Sequence, residues 1–342
     1  MNASPKLLPP FGVLILTLLM FSWPAPAHGQ PQDVLEGAKK EGQLVFYAGI
    51  PIPDAQAILS ALERKYPFIK TTFYRATGSA LVSRIQTEQR AGTHTWDVMN
   101  ATGFEPYVLV EQGYFAKYDA PERKAFPEGH KDSEGYWTTM YTSPMVVTYN
   151  TGLVSPGELP KEYFDLLKPN WKGRLGLDSS DLEWYANLRK VWGAEKAQKF
   201  LAGLRAQDIR LVQGRSLLTN LLSGGEVAIL VNNFLQNVIE AKRKGSPVEF
   251  LALDPVISAA GLVGINKSAP HANAARLFRD FVLSKEGEEL IGKTDRSSVR
   301  KDVTANPLDL IKNLRVVPSD LSLGKDYIRL RDEYRQCLGI NQ

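Results

Sequence analysis

The stretch "EVAILVNNFLQNVIEAKRKG", Glu226–Gly245, predicts a strand that runs directly into a helix. "EVAILV" is a short apolar run of the kind found in buried strands, and residues 233–244 have apolar side chains at helical spacing. Asn232 and Asn233 stand at the junction, where a turn after a strand presents side chains and free N–H groups to a ligand. Neither asparagine carries a charge, so the stretch favours an α/β fold without identifying what is bound.

The same alternation extends along the chain in both directions. On the N-terminal side, "QLVFYA", "IKTTFYR" and "WDVMNA" are predicted strands, separated by the predicted helices "DAQAILSALERKY" and "TGSALVSRIQTEQRAG". A second unit over residues 146–253 contains "GRLGLD", "DIRLV", "EVAILV" and "VEFLAL", again with helices between them. "MVVTYNT" leads out of the first unit, and "AAGLVGIN" with a helical pair follows the second. This alternation is typical of parallel α/β sheets.

Residues 1–27 are predicted to be a cleavable secretory signal peptide. Lys6 precedes the apolar run Phe11–Phe21, and Ala25-Pro26-Ala27 has the small-x-small form that signal peptidase cleaves, so we expect cleavage after Ala27. Prolines on both sides of the run leave too few apolar residues for a transmembrane helix. An uncleaved anchor is the alternative. The prediction places the mature protein in the periplasm.

Composition argues against two classes of protein. The net charge of the 342 residues is only +4, and basic clusters such as "IRLRDEYR" contain acids, so nucleic acid is not an expected partner. The four histidines are scattered, and the chain has neither G-x-S-x-G nor H-E-x-x-H, so catalysis is the weaker hypothesis. The single cysteine, Cys337, allows no intrachain disulfide, as is normal for a large periplasmic protein.

Several motifs resemble one family over nearly all the mature chain. "LSGGEVAILVNNFLQNVIEAKRKG", "PNWKGRLGLDSS" and "SAPHANAARLFRDFVLSKEGEELI" are similar to the corresponding parts of the periplasmic ferric-iron-binding proteins of ABC importers. "EGQLVFYAG" and "WDV" also fit their places near the start. The resemblance implies a two-lobed α/β periplasmic-binding-protein fold of type II, with the ligand cleft between lobes joined by a two-crossover hinge.

The resemblance also implies a domain division and a role. Lobe 1 is expected to contain residues 28–144 and 255–342, and lobe 2 residues 145–254, with the hinge near Pro144 and Asp254-Pro255. The expected function is a substrate-binding component of an ABC importer, which closes on a small solute and delivers it to a membrane permease. We expect a monomer without enzymatic activity and without a cofactor.

The sequence departs from the family where the metal is held. The relatives bind iron with two adjacent tyrosines after the paired asparagines, and here those positions hold Phe234 and Leu235. Fe(III) prefers anionic oxygen ligands, which neither side chain supplies. We therefore expect no metal site in the protein. An iron cargo carried as a preformed chelate remains an alternative, as does a secreted enzyme on the same scaffold.

An organic anion or zwitterion is the favoured solute. Arg215, just before a predicted helix, is suited to bidentate contact with a carboxylate or phosphate, whereas Asp181 and Glu183 suit an amine. Strand-to-helix turns supply further candidates, and aromatic side chains are expected to cover the apolar part of the solute. The expected ligand-binding residues are Tyr47, Thr77, Gly78, Ser79, Thr102, Ser179, Ser180, Asp181, Trp184, Arg215, Asn232, Asn233 and Phe234.

Overall fold

The computed structural model describes residues 32–303, 310–311 and 313–340. The signal peptide predicted for residues 1–27 lies outside this range. In the described part, no helix is both long enough and apolar enough to cross a bilayer.

The helices follow the predicted alternation and are numbered in chain order. They are α1 (Gln32–Glu41), α2 (Ile52–Lys65), α3 (Gly78–Arg90), α4 (Glu105–Glu111), α5 (Leu182–Trp192), α6 (Ala194–Ala206), α7 (Arg215–Ser223), α8 (Leu235–Arg243), α9 (Ala272–Leu283), α10 (Lys285–Gly292) and α11 (Tyr327–Leu338).

The strands form one mixed sheet. They are β1 (Gln43–Ala48), β2 (Lys70–Arg75), β3 (Val98–Thr102), β4 (Trp137–Asn150), β5 (Leu175–Asp178), β6 (Arg210–Val212), β7 (Ile229–Phe234), β8 (Val248–Leu251), β9 (Val256–Ile265) and β10 (Val316–Pro318). Their order is β2-β1-β3-β9-β4-β7-β5-β6, with β10 paired to β9 and β8 paired to β4.

Strand β4 divides this sheet into two parts. Its residues 137–144 pair with β9, and its residues 145–150 pair with β7 and β8. We call the part with β1, β2, β3, β9 and β10 the first half-sheet, and the part with β5 to β8 the second half-sheet. The parallel pairs β1–β2 and β1–β3 lie in the first, and β5–β6 and β5–β7 lie in the second. Pro144, where the sequence places one hinge crossover, is the residue at which β4 changes partners.

The C-terminal helix lies where the domain prediction did not put it. Residues 255–342 were all expected in lobe 1, but α11 packs against α5 and α6 beside the second half-sheet. The Tyr334 hydroxyl donates to the Asp178 carbonyl oxygen at 2.8 Å, and Tyr334 is buried. The Arg189 Nε donates to Glu333 at 2.9 Å. The physical reason is the apolar face of α11, because Leu330, Tyr334 and Leu338 are buried in this contact.

Candidate ligand-binding cleft

A cleft of about 400 Å³ opens between the two half-sheets. Turns that follow strands of both half-sheets line it, as expected for ligand sites in open α/β folds. From the first half-sheet side it is lined by Gly49, Ile50, Pro51, Arg75, Thr77, Gly78, Ser79, Ala101, Thr102, Gly103, Tyr141 and Arg296. From the second half-sheet side it is lined by Asp178, Ser180, Asp181, Glu183, Gln213, Gly214, Arg215, Ser216, Leu217, Phe234, Gln236 and Asn237.

Helix N-termini face this cleft from both sides. α3 begins at Gly78, α7 begins at Arg215, and cleft-lining residues form the first turn of each. Gly78 has a φ of 50°, a backbone conformation that glycine adopts without steric cost. The free N–H groups and the positive end of the helix dipole favour an anion at such positions.

Arg75 gives the cleft an accessible positive charge. It is the last residue of β2, its side chain is exposed, and its Nε donates to the Ile50 carbonyl oxygen at 3.1 Å. Within the described residues, no carboxylate lies at ion-pair distance from this guanidinium. Its remaining N–H groups are therefore available to an anionic ligand.

Arg296 is held more tightly than Arg75. Its side chain is buried, and its Nη1 lies 2.6 Å from Asp54 Oδ2 and 2.8 Å from Thr294 Oγ1. The guanidinium also stands 5.2 Å from the centroid of the Tyr141 ring, which lines the same cleft. The carboxylate of Asp54 compensates the charge, so Arg296 is fixed in place and contributes less net positive charge than Arg75.

Arg215 and Asp181 form a buried ion pair in the wall of the cleft. Arg215 Nη2 donates to Asp181 Oδ1, and Asn232 Nδ2 donates to Asp181 Oδ2. The Arg215 guanidinium lies 3.9 Å from the centroid of the Phe234 ring, at cation–π distance. Burial raises the pKa of Asp181 to about 6, although Arg215 opposes this shift.

A family match agrees with this geometry. The family described as bacterial extracellular solute-binding protein matches residues 108–321, which is more than half of the chain. The chain belongs to this family. The predicted solute-binding protein of an ABC transporter is therefore confirmed at family level, and the match leaves the solute unspecified.

Individual relatives of this solute-binding protein are distant. A Fe(3+)-binding periplasmic protein of Serratia marcescens is 25% identical over 234 residues, which cover 65% of this chain and 68% of the relative. An uncharacterized protein of Haemophilus influenzae is 27% identical over 271 residues, covering 75% of this chain and 77% of that protein. These similarities support the resemblance to ferric-iron-binding proteins that the sequence motifs indicated.

Solved structures confirm the predicted two-lobed fold of the solute-binding protein. Iron-bound HitA from Pseudomonas aeruginosa superposes with a TM-score of 0.74 at 23% identity, covering 85% of this chain and 99% of HitA. AfuA from Actinobacillus pleuropneumoniae, solved with fructose-6-phosphate bound, gives a TM-score of 0.77 at 23% identity, covering 87% of this chain and 99% of AfuA. At this level of identity the likeness concerns the fold.

The structure brings many of the predicted site residues of the solute-binding protein to one place. Five segments contribute: the end of β3, the turn at the start of α3, the turn between β5 and α5, the start of α7 and the end of β7. The predicted residues that line the cleft are Thr77, Gly78, Ser79, Thr102, Ser180, Asp181, Arg215 and Phe234. Their contact with a ligand remains a prediction.

The two other aromatic candidates lie in the core instead of the cleft. Tyr47 is buried, and its hydroxyl lies 3.1 Å from Glu88 Oε1 and 3.0 Å from Thr95 Oγ1. Trp184 is fully buried, with its ring 6.3 Å from that of Phe200. Apolar area drives both rings inward, so the expectation that they cover a ligand is corrected.

The paired asparagines also have structural partners. Asn232 and Asn233 are buried within β7, because the strand continues to Phe234. Asn233 Oδ1 accepts from the Phe234 N–H at 2.9 Å and thereby shapes the entry into α8. Ser179 does not line the cleft either, and its N–H donates to the Val212 carbonyl oxygen at 3.1 Å. The expected ligand contacts of the two buried asparagines are therefore corrected, and that of Ser179, which is half-buried, stays a prediction.

Sequence reasoning missed several cleft residues. Arg75 precedes the Thr77–Ser79 turn by two residues, and its place at the end of a predicted strand was a usable signal. Arg296 and Tyr141 come from segments far apart in the chain, and only the folded sheet brings them to the cleft. Gln236 also lines it, with its Nε2 bound to Ser143 Oγ at 2.9 Å.

The two positions that the family resemblance assigns to iron-binding tyrosines hold other residues. Phe234 occupies the wall where the family resemblance implies a tyrosine ligand, and Leu235 is buried in the core. Across the described ranges, no group of three or more His, Cys, Asp or Glu side chains is placed to hold a metal ion. The cleft presents guanidinium and helix N–H groups, which are donors for anions.

Proposed function

We propose that this protein captures a small organic anion in the periplasm and delivers it to the permease of an ABC importer. The observation that carries the proposal is Arg75, an exposed guanidinium without a carboxylate partner among the described residues, beside the N-terminus of α3. Positive groups of this kind recognise phosphate or carboxylate. AfuA, which has the same fold, was solved with a sugar phosphate, fructose-6-phosphate.

An anion is better supported than a zwitterion. Asp181, which the sequence offered to an amine, is bound to Arg215 and Asn232. Glu183 is 7% exposed, and its Oε1 lies 3.4 Å from the Ala260 N–H. An amine would have to displace these partners from buried carboxylates, which is energetically costly.

Closure of two lobes on the ligand is part of the proposal. Residues from both half-sheets line the cleft, so one ligand can contact both and stabilise a closed state. We place one hinge in β4 at Pro144 and another at residues 254–255, with α11 moving together with the second half-sheet. Such a protein acts as a monomeric receptor, and we assign it no catalytic step.

Thermal melting of residues 28–342 with a panel of ligands tests this function. We expect organic phosphates, sugar phosphates among them, or organic carboxylates to raise the melting temperature. A ligand at about 100 times its dissociation constant stabilises the folded state by about 2.7 kcal/mol. Bare Fe(III) should cause no shift. A shift with ferric citrate but not with citrate would support the chelate alternative. A shift with bare Fe(III) and a tyrosinate colour would contradict the proposal.

Arg75→Gln should separate binding from folding. Loss of a charge-assisted hydrogen bond should weaken anion binding by about 1.5–3 kcal/mol. The melting temperature without ligand should hardly change, because Arg75 is exposed and makes one hydrogen bond to a carbonyl. Isothermal titration against the best anion of the panel measures the effect. Arg64→Gln, an exposed arginine on α2 away from the cleft, is the matched control, and equal losses in both variants would count against a role for Arg75.

A further inference from the structure

The ion pair of Arg215 and Asp181 lies in the cleft that the proposed function assigns to an anion. The Arg215 side chain is 17% exposed and the Asp181 side chain is 1% exposed. The Nε of Arg215 is buried and has no hydrogen-bond partner. An anion that approaches this guanidinium therefore meets Asp181 as a competitor already in place.

Asp181 is poorly placed to keep its charge once an anion arrives. Its only other side-chain partner that the structure shows is Asn232. The titratable and charged groups that face the pair are acids and phenols, namely Asp178, Glu183, Tyr163 and Tyr334. A further negative charge next to a buried carboxylate favours its protonated form.

We propose that Asp181 is a proton-binding site of the cleft. When an anion binds, Arg215 leaves Asp181 and pairs with the anion, and the Asp181 carboxylate takes up a proton from solvent. The inference rests on the proposed function, since it requires an anion at Arg215. The ligand is then an anion together with a proton, and Asp181 makes affinity depend on pH. Neutral Asp181 keeps its hydrogen bond to Asn232 while the guanidinium turns to the ligand.

The direction of the pH effect follows from linkage. Without ligand, burial sets the pKa of Asp181 at about 6, and the bound anion raises this pKa further. Between the two pKa values, binding takes up a proton, so affinity tightens as pH falls. Below about pH 6 Asp181 is protonated in both states, and the affinity becomes constant.

Titration calorimetry with inorganic sulfate tests the inference, because the charge of sulfate is constant over this range of pH. We expect sulfate to bind more tightly as pH falls from about 8 to about 6, with a limit of about tenfold per pH unit. Asp181→Asn keeps the size and the hydrogen-bonding ability of the side chain but cannot titrate. This variant should bind sulfate with an affinity that no longer changes with pH and is close to the low-pH affinity of the natural protein.

A control variant and a measurement on the natural protein complete the test. Asp54→Asn removes the carboxylate partner of Arg296, the other ion-paired arginine of the cleft, and should leave the pH dependence intact. Proton uptake by the natural protein is read from calorimetry at pH 7 in buffers of different ionisation enthalpy. Sulfate binding without proton uptake would overturn this inference and would leave the proposed function unaffected. Failure of sulfate and of every organic anion to bind at any pH would overturn the proposed function as well.

Discussion

Arg215→Ala should lower the free energy of unfolding of the ligand-free protein at pH 7 by about 1–3 kcal/mol, because it leaves Asp181 buried without its cationic partner. Asp181 is 2% exposed, and among the described residues Asn232 would be its one remaining side-chain hydrogen-bond partner. The sequence suggested instead that the Arg215 guanidinium is available to an anionic ligand. Urea denaturation at pH 7 measures the effect.

The pH dependence of this loss identifies its cause. Removal of the guanidinium raises the pKa of Asp181 above its value of about 6, so the stability of Arg215→Ala should recover as pH falls and the carboxyl becomes neutral. The double variant Asp181→Asn, Arg215→Ala should recover much of the loss at pH 7. Arg210→Ala is the control, because its ion pair with Glu226 is half exposed and is worth less than about 1 kcal/mol. A loss for Arg215→Ala no larger than this control would contradict the prediction.

Local sequence patterns predicted most of the secondary structure. The strand Gln43–Ala48 has the bounds of the predicted apolar run, because the burial pattern of a short strand is set by neighbouring residues. The first part of β4 was missed, since "WTTMYTS" has too many polar side chains to resemble a buried strand. Thr138 and Thr139 are nevertheless fully buried, in the part of β4 that pairs with β9. Only tertiary pairing with β9 explains that burial.

The candidate site was less accessible to sequence reasoning. Turn chemistry located Thr77–Ser79 correctly at the cleft, because a helix N-terminus after a strand has a local signature. The partnership of Arg215 with Asp181 spans many residues and depends on how α5 and α7 approach each other, so it left no local pattern. Asn232 and Trp184 have side chains suited to a ligand, and their burial decides against that role. Residue type therefore indicated the chemistry, and packing determined which residues line the cleft.

Glu288→Gln should remove a large pH dependence of stability. Glu288 lies on α10 with no exposed surface, and burial raises the pKa of its carboxyl to about 8, with Arg300 opposing the shift. The folded-state pKa is above the unfolded value of about 4.3, so the folded state binds the proton more tightly. The stabilisation from this proton is complete below about pH 4 and is lost as pH rises through about 8.

The expected difference between the two proteins therefore grows with pH. A rise of the pKa over this range corresponds to about 3–5 kcal/mol, so Glu288→Gln should gain that much over the natural protein between about pH 4 and pH 9. Urea denaturation at intervals of pH measures the gain. Glu289→Gln, at the adjacent exposed position of α10, should leave the pH profile unchanged. A parallel pair of profiles for Glu288→Gln and the natural protein would mean that Glu288 is ionised in the folded state, so that its charge must be compensated by Arg300.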